Sequence, residues 1–141
     1  MPAEISPEVS QWLKDHGLCV FATGRKDGSP QQSLIGYQFD GSQFLLGGQA
    51  TSFKMKNLRR NPGASMAIID GRGVVLVYGK AQLVEEPAEM EKLQQRFGPR
   101  AAPPRPQGAP AAAPSAQRPP MGPRVNILFT PDKVLAGRMN G

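Results

Sequence analysis

The 141-residue sequence contains a single cysteine and a single histidine. Cys19 alone cannot close an internal disulfide, and one imidazole plus one thiol fall short of the four ligands of a zinc site. The carboxylates show no metal-ligand spacing either, so no metal is expected. No charged start leads into a long apolar run, which argues against a signal peptide or membrane span. A cytoplasmic, soluble protein is expected. One absence is local: from Gly41 through Ile69 there is neither Asp nor Glu.

Acid is also scarce near the C-terminus. Residues 1 to 98 hold eleven Lys and Arg against ten Asp and Glu, whereas residues 99 to 141 hold six against Asp132 alone. Five of the six net positive charges therefore come from the tail. Neither an aromatic-rich RNA-binding signature nor a helix-turn-helix pattern accompanies it, which argues against nucleic acid as a partner. The length fits one domain, 1–141, able to bury about two-thirds of the surface its unfolded chain exposes.

Ser6-Pro7-Glu8 reads as N-cap, first-turn proline and first-turn acid, and Val9, Trp12 and Leu13 share a helical face before Gly17. Leu18 to Thr23 is a buried-strand run, and Lys26-Asp27-Gly28-Ser29-Pro30 turns it into a strand from Gln31 to Phe39. Asp40-Gly41 makes the next turn, before a strand from Phe44 to Gly48. A basic helix from about Phe53 to Arg60 then stops ahead of Pro62. Strands follow at Ala64 to Ile69 and Val74 to Val84, joined by Asp70-Gly71-Arg72-Gly73. Glu86-Pro87 opens a helix with Met90, Leu93 and Phe97 on one face, and a last strand runs from Val125 to Phe129, ending at Pro131.

Roughly six antiparallel strands with two or three short helices predict a mainly β fold, a small closed barrel. Residues 99–123 hold nine of the fifteen prolines and no acid, so an extended, flexible loop is expected there.

Chemistry concentrates in Thr51-Ser52-Phe53-Lys54-Met55-Lys56-Asn57-Leu58-Arg59-Arg60-Asn61-Pro62. A helix opening with hydroxyls and lysines straight after a strand aims N–H groups and ammonium charges at one spot, which is how a phosphate is held. In the acid-free stretch nothing close in sequence neutralises Lys54, Lys56, Arg59 or Arg60. A solvated basic helix face is the alternative reading.

The ordered set Phe21-Ala22-Thr23, Asp27-Gly28-Ser29-Pro30-Gln31, Tyr37-Gln38-Phe39-Asp40-Gly41 and Lys54-x-x-Asn57-Leu58-Arg59-Arg60-Asn61-Pro62 resembles the split β-barrel flavin and deazaflavin oxidoreductases. These include the pyridoxamine 5'-phosphate oxidase-like proteins and the F-420-dependent group. The resemblance runs from Leu18 to about Phe97, with Gly79 and Glu85-Glu86-Pro87 where that group closes its barrel. A weaker match covers Arg124-Val125-Asn126-Ile127 and Pro131-Asp132-Lys133-Val134.

The resemblance implies an FMN-binding split-barrel fold, a homodimer with the cofactor groove at the subunit interface, and coenzyme F-420 or FMN as cofactor. It also implies Lys54, Lys56 and Asn57 at the phosphate end. Gln32, Ser33 and Leu34, with Gly47, Gly48 and Gln49 on the neighbouring strand, would line the ring system. Glycines fit that role, since a flat ring lies against backbone only where side chains are small; a bulge bending the barrel is the alternative. Many deazaflavin-binding relatives carry an Arg two residues before the Lys, where this chain has Ser52. Ser52 can cap the helix and donate a hydroxyl hydrogen bond but lacks a guanidinium.

The implied activity is hydride transfer between the reduced cofactor and a small unsaturated or carbonyl substrate, with F-420 slightly ahead of FMN. The rival is a non-catalytic protein of the same fold holding a flavin, haem or tetrapyrrole. A second rival is an empty groove beside a Pro-rich arm that binds a protein. Because F-420 carries a polyglutamate tail, Arg100, Arg105 and Arg118 of that arm are expected to favour it. Trp12 is expected to pack, His16 to interact with its helix end, Cys19 to be a buried inert thiol, and Tyr37 and Tyr78 to be strand residues with wet hydroxyls.

Overall fold

A computed structural model describes residues 4–71, 73–98 and 124–137. The loop expected over 99–123 therefore lies outside the described residues, with Arg100, Arg105 and Arg118. Among the described residues nine elements follow one another: α1 (Pro7–Asp15), β1 (Leu18–Gly24), β2 (Pro30–Phe39), β3 (Phe44–Gln49), α2 (Phe53–Arg60), β4 (Gly63–Asp70), β5 (Gly73–Val84), α3 (Pro87–Phe97) and β6 (Arg124–Ala136). The six strands close into an antiparallel barrel in the order β1-β2-β3-β6-β5-β4, with β4 returning to β1. The expected fold class holds.

The tight connections follow local chemistry. Gly28 and Gly41 sit at φ 90 and 104, which a side chain would disfavour. Asp40 Oδ1 accepts from the amides of Ser42 and Gln43 at 2.9 and 2.8 Å, an Asx turn.

Alternate residues point inward, giving a core that includes Phe21, Phe44, Leu46, Ile68, Val75 and Phe129. Phe129 meets Phe21 edge-on, with ring centroids 5.8 Å apart. Each such buried side chain contributes about 1.5–3 kcal/mol of transfer free energy. α1 adds Val9 and Leu13 to this core and α2 adds Met55 and Leu58. The buried Tyr37 hydroxyl donates to the Leu13 carbonyl at 2.8 Å, tying α1 to β2, so it is not the wet phenol expected.

The last strand departs from expectation. β6 does not end at Pro131 but runs on to Ala136, pairing with β3 on one side and β5 on the other. The register slips between Tyr78 and Gly79, where Gly79 faces Pro131 and Tyr78 faces Lys133. A bulge is where a strand tolerates proline, and Gly79 permits it because a Cβ there would run into the Thr130 carbonyl.

α3 packs through Leu93, with Met90 and Phe97 half-buried as its periodicity predicts. Its end is clamped to the β2–β3 turn: Arg96 Nη2 donates to Asp40 Oδ2 and Gln43 Oε1, both at 2.6 Å. Burial works against the Asp40 charge, but the Gln43 and Ser42 amides and the Arg96 guanidinium outweigh it and hold the carboxyl below its usual range.

Candidate functional site at the start of the second helix

β3 ends at Gln49, whose carbonyl accepts from the Ser52 amide at 3.1 Å and turns the chain into α2. Ser52 occupies the N-cap with extended backbone, φ −67 and ψ 156, but its side chain makes no capping bond. The expected hydroxyl cap is replaced by a buried Oγ with no partner. In α1, by contrast, Ser6 Oγ accepts from the Val9 amide at 3.2 Å. An unmet buried hydroxyl costs about 1–3 kcal/mol, so Ser52 holds a donor in reserve.

Lys54 folds back over β3. Its Cε and Nζ lie 2.9 and 3.1 Å from the place a Cβ on Gly48 would take. The glycine thus lets an ammonium rest against strand backbone. Burial lowers the Lys54 pKa, and the Arg124 charge lowers it further. Among the described residues Lys54 has no ion-pair partner. A half-buried cation facing another cation, with no carboxylate, is stabilised by an incoming anion.

The other polar residues of α2 divide. Lys56 is exposed, its Nζ 5.5 Å from the Phe53 ring centroid, and Phe53 is itself 72% exposed. Arg59 donates to Glu85 at 2.7 Å and to the Ala50 carbonyl at 3.0 Å. It is therefore neutralised, by an acid outside the acid-free stretch. Arg60 donates to the Gly24 carbonyl at 2.8 Å. Asn57, expected at the phosphate end, turns inward: Nδ2 donates to Thr23 Oγ1 at 3.0 Å and Oδ1 accepts from Arg60 at 3.2 Å.

Gly47 looks the other way from Gly48. It floors a groove of about 460 Å³ whose walls include Gln38, Gln94, Gln95, Arg124 and Asn126. A Cβ on Gly47 would stand 3.4 Å from Arg124 Nη2 and 3.8 Å from Asn126 Oδ1. Sequence reading passed over Gln38, Gln94, Gln95, Arg124 and Asn126 as site residues. Their convergence depends on β6 entering the barrel beside β3, and the only signal was the weak match at Arg124-Val125-Asn126.

Gln32, Ser33 and Leu34 do not join this group within one chain. The β2–β3 pairing stops at Tyr37 and Leu46, and these three residues pair with Ala22, Phe21 and Val20 of β1 instead. Gln32 and Leu34 line separate clefts on the outer face of β1 and β4. Gln49 pairs with Arg124 at the end of the β3–β6 ladder.

The remaining candidates are mostly structural. Burial pushes the Cys19 thiol up to about 12, leaving it protonated and unreactive. Trp12 stacks on His16 with centroids 3.9 Å apart, and the His16 nitrogens face the Trp12 carbonyl at 2.7 Å and Asp70 at 3.0 Å. Tyr78 is exposed, as expected. Among the described residues no three His, Cys, Asp or Glu are grouped to hold a metal, and no helix is long and apolar enough to cross a membrane.

The closed six-stranded antiparallel barrel is the fold of the split-barrel proteins. The sequence matches the pyridoxamine 5'-phosphate oxidase family over residues 5–136, and the chain belongs to that family. No curated protein matches it. Among solved structures it is similar to an F-420 reductase, 24% identical with a TM-score of 0.64, covering 93% of this chain and 98% of the other. A conserved hypothetical protein of Mycobacterium tuberculosis is 23% identical with a TM-score of 0.67, over 96% and 85% of the two chains. A putative pyridoxamine 5'-phosphate oxidase of Listeria innocua is 17% identical with a TM-score of 0.63, over 95% and 97%. At these identities the likeness is one of fold.

Proposed function

We propose that this protein binds a phosphorylated flavin or deazaflavin, F-420 ahead of FMN, and acts as an oxidoreductase on a small unsaturated or carbonyl substrate. The observation that carries the reading is Lys54, a half-buried ammonium with no carboxylate among the described residues, beside a Ser52 hydroxyl that has no partner among them, at a helix start. When bound, the cofactor supplies the hydride chemistry. The protein's part is to hold it. Lys54 offers a charge-assisted contact to the phosphate, Ser52 and the first-turn amides offer donors, and Lys56 adds charge from the exposed side. No protein nucleophile is required. The family match and the similarity to an F-420 reductase support this class of cofactor.

The active form in this reading is a homodimer with the groove at the subunit interface. Its support is an outward apolar row crossing five strands: Leu34, Val20, Ala67, Leu76 and Leu135 are successive register partners. Leu34 is 65% and Leu135 45% exposed, and neighbouring Ile69 is 63% exposed. Such a continuous patch is the kind of surface a second copy would cover. A second copy docked there also gives Gln32 and Leu34 a partner surface that a single chain lacks, whereas Ser33 lies on the opposite face of β2, where it accepts from Gln31 Nε2 at 2.9 Å.

The test is spectroscopic. The purified protein, as isolated and after titration with FMN and with F-420, should show the visible band of a bound flavin or deazaflavin. Failure of both to bind removes the reading. Binding without turnover moves the protein to the storage or sensing alternative. For haem, that alternative is weakened by His16, whose two ring nitrogens already face acceptors.

A further inference from the structure

The groove floored by Gly47 has no role in the phosphate contacts above. Among the described residues no carboxylate lines it. Arg124 reaches it with a guanidinium that has neither hydrogen bond nor ion pair among the described residues. Asn126, two residues on and so on the same face of β6, has a buried Nδ2 with no acceptor. Both side chains converge on Gly47, where the missing side chain leaves open floor. The α3 wall is preformed, since Gln38 Nε2 donates to the Gly98 carbonyl at 3.0 Å and Arg96 holds Asp40.

We propose that this groove is a second anion site, which takes a small planar carboxylate between the Arg124 guanidinium and the Asn126 amide. A guanidinium presents two parallel N–H donors that match the two oxygens of a carboxylate, and the orphan amide supplies a third. Asn126 Oδ1 is the amide atom nearer Gly47, so an entering carboxylate oxygen requires a half-turn of the soft amide torsion, which brings the unpartnered Nδ2 donor round to it. The last turn of α3, the negative end of the helix, forms one wall through Gln94 and Gln95, which weighs more heavily against a phosphate dianion than against a carboxylate monoanion. The carboxylate belongs either to a small substrate or to a glutamyl group of the cofactor. The site stands on its own geometry and holds whether or not Lys54 binds a phosphate.

The test uses the isotope-labelled full chain titrated with benzoate and, separately, with inorganic phosphate. The Gly47 backbone amide and the Asn126 side-chain amide should shift saturably with benzoate and not with phosphate. Arg124→Gln, an exposed position that the fold tolerates, should weaken benzoate by about tenfold or more, and Arg124→Lys should recover only part of that loss. Lys54→Ala removes only a neighbouring charge and should weaken benzoate clearly less than Arg124→Gln does, which separates this site from the phosphate site. Shifts that never saturate, that survive Arg124→Gln unchanged, or that phosphate reproduces equally overturn the proposal. A loss of F-420 affinity in Arg124→Gln with FMN unaffected assigns the site to the glutamyl tail; unchanged affinity for both, with benzoate weakened, assigns it to a substrate.

Discussion

The two ends of α2 carry the same kind of side chain to opposite uses. At the C-terminal end Arg59 is bonded to Glu85 and the Ala50 carbonyl, Arg60 to the Gly24 carbonyl, and Asn57 to Thr23. Those contacts sew the helix to the barrel. At the N-terminal end, among the described residues, Lys54 lies over Gly48 without a counter-ion and the Ser52 hydroxyl lies buried without a partner. The charge run alone therefore does not mark the site. What sets the candidate site apart is polar capacity left unmet among the described residues, where the backbone and glycine geometry leave room for a ligand.

The largest separation between the two ends should come from Lys54→Ala. A charge-assisted contact is worth about 1.5–3 kcal/mol, so cofactor affinity should fall about ten- to hundredfold in an equilibrium titration. Stability should not fall with it. A lysine whose pKa is lower folded than unfolded penalises the fold at neutral pH, and the penalty fades only as pH rises toward 10.5, so removing Lys54 should leave the melting temperature equal or higher.

Asn57→Ala should do the reverse. It leaves the buried Thr23 hydroxyl without its amide donor and should cost about 1–3 kcal/mol in urea unfolding, while the folded fraction keeps its cofactor affinity. If affinity drops as far as in Lys54→Ala, the division of the helix is wrong. A smaller effect is expected for Arg59→Gln. Its ion pair with Glu85 is well exposed on both sides, so the loss should be under about 1 kcal/mol, shrinking in salt.

The mildest expectation concerns the α3 clamp, which should behave like the structural end of α2. The Asp40 carboxyl titrates below its unfolded value of 3.8, so its contribution is complete above that pH and disappears as pH falls through the lower folded value. Arg96→Gln should flatten this acid limb in a pH series of melting temperatures without changing cofactor affinity at neutral pH.

Much of the fold is legible in local chemistry: Ser6 and Pro7 at a helix start, Gly28 and Gly41 in turns, Pro62 after a helix, alternation along the strands. The course of β6 past Pro131 is not, because the bulge that tolerates the proline is set by Gly79 more than fifty residues earlier. The candidate site divides in the same way. Lys54 and the glycine pair can be read from a strand-to-helix junction, but the inward turn of Asn57 and the pairing of Arg59 with Glu85 depend on β1 and on the β5–α3 junction. The Arg124 and Asn126 groove needs β6 beside β3 and α3 above it. Gly47 and Gly48, read together as ring-lining, face different neighbours. Gly48→Val should displace Lys54 from the strand, while Gly47→Val should narrow the carboxylate groove; titrating each variant with FMN and benzoate distinguishes the two.

The most direct measurement is a visible-absorbance titration of FMN and F-420 into the parent, Lys54→Ala and Arg59→Gln proteins side by side. The account predicts saturable binding by the parent, retention in Arg59→Gln, and at least about a tenfold loss in Lys54→Ala for whichever cofactor binds. Equal affinity across all three proteins would contradict it and return the start of α2 to the standing of a solvated basic surface.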